Sequence, residues 1–167
     1  MNTSTKRRID ARQDSALVAR EDTLGFLLWD AARTYARHFT QCLGQHGVTL
    51  GVWPYLRVLW EEDGLTQREL SERVRMRGPT TVAAVTELER KGWVRRTDDP
   101  SDRRKVRIFL TETGCALRDS VMPAVEDTNR LGVSDLNADE QEMIKNLLRR
   151  LRDNVLKASA AARGENE

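Results

Sequence analysis

The stretch from Thr66 to Thr111, TQRELSERVRMRGPTTVAAVTELERKGWVRRTDDPSDRRKVRIFLT, constrains the fold more than any other part of the chain. Thr66-Gln67-Arg68-Glu69 has the S/T-x-x-E form of a capping box, in which hydroxyl and carboxylate each satisfy an unpaired backbone N–H, so a helix starts there and buries Leu70 and Val74. It stops near Met76-Arg77-Gly78, where the glycine can take positive φ, and Pro79 suits the first turn of a second helix running to about Lys91. The spacing predicts an inner stripe of Val82, Val85 and Leu88, leaves Thr80, Thr81, Ala84 and Glu87 outside, and makes Gly92 the C′ residue. Trp93–Thr97 and Lys105–Leu110 favour β-formers and flank Asp98-Asp99-Pro100-Ser101-Asp102, dense in turn residues. Two helices on a tight turn followed by a two-stranded wing read as a winged helix-turn-helix. Twelve Lys/Arg against seven Asp/Glu make this segment +5 and leave −3 for the remainder of a chain whose net charge is +2. Local basicity of this kind suits nucleic acid.

The flanks are helical. Leu24, Leu28, Ala31, Tyr35, Phe39 and Cys42 recur at three- and four-residue steps, predicting a helix from about Glu21 to Gly44–Gly47. A second helix carries Pro54 in its first turn, then Tyr55, Leu56, Leu59 and Trp60, and closes at Asp63-Gly64. Thr111 can cap a fifth helix with Leu117 and Val121, in which Pro123 marks a kink or weak point. Asn137-Ala138-Asp139-Glu140 offers a cap for a sixth, marked by Ile144, Leu148, Leu151 and Val155. The fold class is therefore mainly α (α+β). Residues 1–20 are expected to form a flexible arm whose Lys6, Arg7 and Arg8 can touch phosphate, and residues 159–167 a frayed tail. Between them lie helical segments 21–50 and 111–158 and the winged domain, 51–110.

No run approaches the roughly 18 apolar residues of a membrane span, and the N-terminus lacks the apolar stretch of a signal peptide, so a cytosolic protein without a membrane partner is expected. Cys42 and Cys115 stand far apart without CxxC spacing, which implies reduced thiols rather than a disulfide or zinc framework. With no Gly-rich phosphate loop and no Ser/His/Asp arrangement, no catalytic constellation and no cofactor is expected.

Residues 22–156 resemble the MarR family of bacterial winged-helix transcriptional regulators. Asp102-Arg103-Arg104-Lys105-Val106-Arg107-Ile108-Phe109-Leu110-Thr111 fits the family's D-x-R-x5-L-T wing pattern at every fixed position, and Glu89-Arg90-Lys91-Gly92-Trp93-Val94 is similar to its helix-to-strand junction. The resemblance implies a homodimer in which helices 1, 5 and 6 of both copies interlock, leaving two winged domains for a pseudo-palindromic double-stranded DNA operator. It implies that Arg104 enters the minor groove, where negative potential concentrates, and that Asp102 holds its orientation. Arg103 and Lys105 are assigned to phosphate, and Arg77, Thr80, Thr81 and Ala84, with their small side chains near the helix start, to the major groove.

Family members often bind a small anionic or aromatic effector between the dimer helices and the winged domain. Trp29, Arg33, Tyr35, Trp53 and Arg57 offer aromatic walls and guanidinium partners there, though each also reads as ordinary core or surface. His38, Cys42 and His46 stand at i, i+4 and i+8 in a spacing that can ligate a metal, but no fourth ligand is evident and Cys42 fits the apolar stripe, so packing is the favoured reading. A thiol peroxide sensor is disfavoured, because the family's reactive cysteine position corresponds to Gly25 here. The leading expectation is a ligand-responsive regulator, most often a repressor. A metal- or thiol-responsive regulator of the same fold, and a winged-helix protein-interaction module, are the alternatives.

Overall fold

The computed structural model of the chain describes residues 22–100, 102, 105–162 and 164. The arm of residues 1–20, including Lys6, Arg7 and Arg8, and the wing residues Arg103 and Arg104 lie outside the described residues. The elements run α1 (Leu24–Gly44), α2 (Trp53–Glu61), β1 (Leu65–Thr66), α3 (Gln67–Val74), α4 (Gly78–Arg90), β2 (Val94–Asp98), β3 (Val106–Leu110), α5 (Glu112–Gly132) and α6 (Ala138–Ala162). The fold is the expected one, mostly helical with a small antiparallel sheet in the order β1-β3-β2.

Local chemistry explains the boundaries. Pro54 lies in the first turn of α2. The capping box of α3 is complete: the Glu69 N–H donates to the Thr66 hydroxyl at 3.2 Å, and the Thr66 N–H donates to the Glu69 carboxylate at 2.7 Å. That backbone N–H, and then the Thr66 hydroxyl, hold the Glu69 carboxyl below its ordinary value. The stabilisation is therefore present above the ordinary carboxylate range and is lost as pH falls through the lowered value. Gly92 follows the C-cap of α4 at φ +72°, as expected of a C′ glycine. The left-handed residue between α3 and α4, however, is Arg75 at φ 58°, whereas Gly78 is already helical.

Residues 65–66 form a strand that the sequence pattern did not reveal. Leu65 pairs with Ile108 and Thr66 with Arg107. Two residues are too few to show alternation, and Thr66 serves twice, its backbone in the sheet and its side chain on α3.

Two units emerge, residues up to Thr128 and residues from Asn129. In the first, one core unites Tyr55, Leu56 and Leu59 of α2, Leu70 of α3, Val85 and Leu88 of α4 and Ile108 of β3 with Phe39 and Leu43 of α1 and Val121 and Val125 of α5. The expected boundaries at residues 50–51 and 110–111 are thus not packing boundaries, since both flanking helices place side chains in the core of the winged domain. Only the C-terminal part of the α1 stripe is buried; Leu24, Leu27 and Trp29 are exposed. The α5 helix continues through Pro123 as one element. In the second unit α6 starts from the expected cap, with the Glu140 N–H donating to Asn137 Oδ1 at 3.0 Å. It continues to Ala162, past the onset of the expected frayed tail. Its apolar residues Met143, Ile144, Leu147, Leu148, Val155 and Leu156 are all exposed within the single chain.

Candidate nucleic-acid interface

The α4 helix is held on one side and open on the other. Thr81, Ala84, Val85 and Leu88 are buried, at the i, i+3, i+4, i+7 spacing of a helix face, and Val82 is 45% exposed. The inner stripe thus differs from the expected Val82–Val85–Leu88, and the assignment of Thr81 and Ala84 to the outer surface is corrected. The cause is a satisfied hydroxyl: Thr81 Oγ1 lies 3.4 Å from Tyr55 Oη and donates to the Arg77 carbonyl at 3.4 Å, so its burial leaves no polar atom stranded. The small side chain of Ala84 lets α4 pack close. Arg77, Gly78, Pro79 and Thr80 stay exposed at the start of the helix, where Arg77 is the N-cap and makes no side-chain capping bond. Such an uncapped start leaves helix N–H groups free for an anion.

The C-terminal end of α4 is fastened to the sheet. Arg96 of β2 pairs with Glu89 and donates to Thr86 Oγ1 at 3.0 Å. The Lys91 ammonium lies 4.9 Å from the Trp93 ring centre and donates to the Gly47 carbonyl at 3.0 Å. The Arg96 contacts fix α4 relative to the hairpin that carries the wing, and Lys91 ties the end of α4 to the turn after α1.

The wing is anchored at its root. Asp99, only 2% exposed, accepts from Arg107 Nε at 2.6 Å and from the Asp102 N–H at 3.2 Å, and its own N–H donates to the Lys105 carbonyl at 2.9 Å. Arg107 Nη1 reaches across to the Gly64 carbonyl at 2.8 Å, joining the wing to the turn before β1. Lys105 is exposed, with its ammonium 3.8 Å from the Asp102 carboxylate. The Asp99–Arg107 pair was not anticipated, because Asp99 read as one turn residue among several. Its signal lay in the hairpin register: Thr97 faces Arg107, so Asp99 is the diagonal neighbour of Arg107 on the same face.

Of the expected effector residues, three gather. Tyr35 stacks on Phe39 with ring centres 5.6 Å apart, Phe39 meets Trp53 edge-on at 5.5 Å, and Trp53 meets Trp60 at 5.8 Å. The Arg57 guanidinium lies 5.8 Å from the Trp53 ring, 3.3 Å from the Glu61 carboxylate, and 3.7 Å from Met122 Sδ of α5. Partial burial raises the Tyr35 phenol above its ordinary value, and Cys42 adds to the effect. Trp29 and Arg33 form a separate pair, 5.1 Å apart, with Phe26 beside Trp29 at 6.0 Å. They lie six residues before Tyr35 and Phe39 respectively, which at about 100° per residue turns them to another side of α1.

His38 is exposed on α1, Cys42 is half-buried, and His46 lies in the turn beyond the last helical residue, Gly44, so the i, i+8 face does not extend to it. Among the described residues no group of three or more His, Cys, Asp or Glu is placed to hold a metal ion. Cys115 is exposed in the first turn of α5. Among the described residues no helix is long and apolar enough to cross a membrane.

Comparison with known proteins agrees with this geometry. The sequence model of the MarR family matches residues 48–106, from before α2 into β3. The HTH-type transcriptional regulator TtmR of Methylorubrum extorquens is 32% identical over 135 residues, covering 81% of this chain and 68% of that protein. Sco3205 of Streptomyces coelicolor, a MarR family transcriptional regulator solved in complex with DNA, superposes with a TM-score of 0.75 at 27% identity, over 84% of this chain and 94% of its own. BpsR of Bordetella bronchiseptica, whose DNA binding is regulated by 6-hydroxynicotinic acid, superposes with a TM-score of 0.70 at 25% identity, over 77% and 98% of the two chains. Sequence, helix order and the wing hairpin agree, and the chain belongs to the MarR family of winged helix-turn-helix transcriptional regulators.

Proposed function

We propose that the chain acts as a homodimeric repressor that holds two winged heads on a pseudo-palindromic operator and is released by a small aromatic or anionic effector, or its coenzyme A thioester. The observation that carries the DNA-binding reading is the arrangement of α4, sunk on one side into the core and bare on the other, with an uncapped start, in a segment of basic sequence. Sco3205, solved on DNA, shares the fold over most of both chains. Arg77 and Thr80 take phosphate or base edges at the helix start, Lys105 and Arg103 take phosphate, and Arg104, with Asp102 two residues before it in the sequence, takes the minor groove. Dimerisation is supported by the apolar stripe of α6 and by exposed Leu24, Leu27 and Trp29 on α1, hydrocarbon that a single chain leaves in water.

Arg104→Ala is expected to weaken operator binding by about 1–3 kcal/mol while leaving melting temperature and oligomeric state unchanged. The measurement is a salt-matched titration of a labelled duplex from upstream of the gene. Unchanged affinity would remove Arg104 from the interface.

The effector site we propose is the Tyr35–Trp53–Arg57 group, where an aromatic ring can lie against Trp53 and a carboxylate can take guanidinium donors of Arg57. BpsR, regulated by a pyridine carboxylic acid, supports that chemistry. In a thermal-shift screen, aromatic acids that raise the melting temperature of the wild type are expected to lose that effect on Arg57→Ala, by the linkage of ligand concentration over Kd to stability. An equal shift in the variant would place the ligand elsewhere.

A further inference from the structure

We infer that α4 reads its half-site largely through thymine methyl groups, with Val82 as the specificity-determining residue; this rests on the DNA-binding reading above. At about 100° per residue, Pro79, Val82, Ala83 and Thr86 project away from the buried line Thr81–Ala84–Val85–Leu88, and all four are exposed. Over the first two turns, from Pro79 to Ala83, this outer face has nothing to offer a base edge by hydrogen bonding. Proline has no N–H, valine and alanine are hydrocarbon, and the Thr86 hydroxyl oxygen already accepts from Arg96 Nη2 at 3.0 Å. Arg96 is itself held by Glu89, so the Thr86 hydroxyl is engaged on the protein side as an acceptor and keeps only its O–H and one lone pair for another partner. Hydrogen-bonding capacity is left to Arg77 and Thr80 at the start of the helix and to Thr86, Glu87 and Arg90 in its last turns, where Arg90 and Glu87 hold each other through two bonds of 2.8 Å.

An apolar face pressed on the floor of the major groove strands any base-edge donor or acceptor it covers. The thymine methyl gains most from such contact, because thymine alone among the four bases presents a methyl group there. Val82, 45% exposed, offers a branched hydrocarbon side chain in the middle of these turns. Each half-site therefore carries thymines, on either strand, where the first two turns of α4 enter.

The test begins by selecting the tightest duplex from a random-sequence pool with the full-length protein, then replacing each thymine of its half-sites by deoxyuridine, which deletes only the methyl. At one or two positions per half-site the wild type is expected to lose about four-fold in affinity, the worth of one buried methyl. Val82→Ala is expected to lose about as much on the unmodified duplex and nothing further at those same positions, with its melting temperature unchanged. Val82→Thr, which keeps one γ-methyl, is expected to fall between. If deoxyuridine is tolerated everywhere, or if the DNA and protein losses simply add, the inference is overturned although the selected duplex still shows a DNA-binding regulator. If no duplex is selected at all, the DNA-binding reading fails with it, and the apolar face of α4 belongs to a protein partner instead.

Discussion

Gly114→Ala is expected to lower the stability of this protein by about 3–5 kcal/mol, more than removal of any surface charge. Gly114 is buried in the first turn of α5, and a Cβ built there would stand 2.0 Å from the Trp93 carbonyl oxygen and 2.9 Å from its carbon. The obstruction is backbone and cannot rotate away. That same carbonyl accepts from the Thr111 N–H at 3.0 Å, while Thr111 Oγ1 donates to the Gly92 carbonyl at 2.6 Å and accepts from the Gly114 N–H at 3.0 Å. The Gly114 carbonyl in turn accepts from Trp60 Nε1 at 2.9 Å. Relieving the clash therefore disturbs the α5 cap, worth about 1 kcal/mol, and the Trp60 hydrogen bond, worth about as much, besides the overpacking itself at about 1–3 kcal/mol. For a chain of this size the melting temperature should fall by roughly 10 °C. Gly44→Ala is the control: it is helical and exposed, with nothing within 4 Å of an added Cβ, and should be neutral or slightly stabilising. A Gly114→Ala melting temperature within about 2 °C of the wild type would show that the junction yields without cost.

Gly114 also shows where sequence reading reaches its limit. The caps were legible because capping is local chemistry: Thr66 with Glu69, Thr111 and Asn137 with Glu140 all act within three residues. The wing was legible because turn residues interrupt two β-forming runs. The facing of α4 was not, because hydrophobicity alone puts Val82 inside, whereas Thr81 can be buried once Tyr55, 26 residues earlier, meets its hydroxyl. The site splits the same way. Its charge and motif are visible in the order of residues, but the gathering of Tyr35, Phe39 and Trp53 apart from Trp29 and Arg33 depends on how α2 packs on α1. Likewise, Asp99 cannot be told from its turn neighbours until the hairpin register sets it beside Arg107.

That pair is the basis of the second large effect. Asp99→Ala is expected to destabilise the fold by about 2–3 kcal/mol and to weaken operator binding about ten-fold even in protein that remains folded. Removing one member of a buried ion pair costs about 3–5 kcal/mol, but the Arg107 side chain is 37% exposed, so water recovers part of the loss. What water cannot replace is geometry. Asp99 ties the entry of the wing loop to Arg107 and to the Asp102 N–H, while Arg107 ties β3 to the Gly64 carbonyl, so the loop that carries Asp102 and Lys105 leaves the sheet in one direction. Arg107→Lys should reproduce much of the binding defect, because a single ammonium cannot span Asp99 and Gly64 as the planar guanidinium does. Asp99→Asn should be milder, since it keeps an oxygen for the Asp102 N–H. A double-mutant cycle of Asp99→Asn with Arg107→Gln, read in urea and in DNA titration, should return a coupling energy of at least 1 kcal/mol on the order expected for contacting charges. Additive losses would mean that the two residues act separately and that the wing is oriented by other contacts.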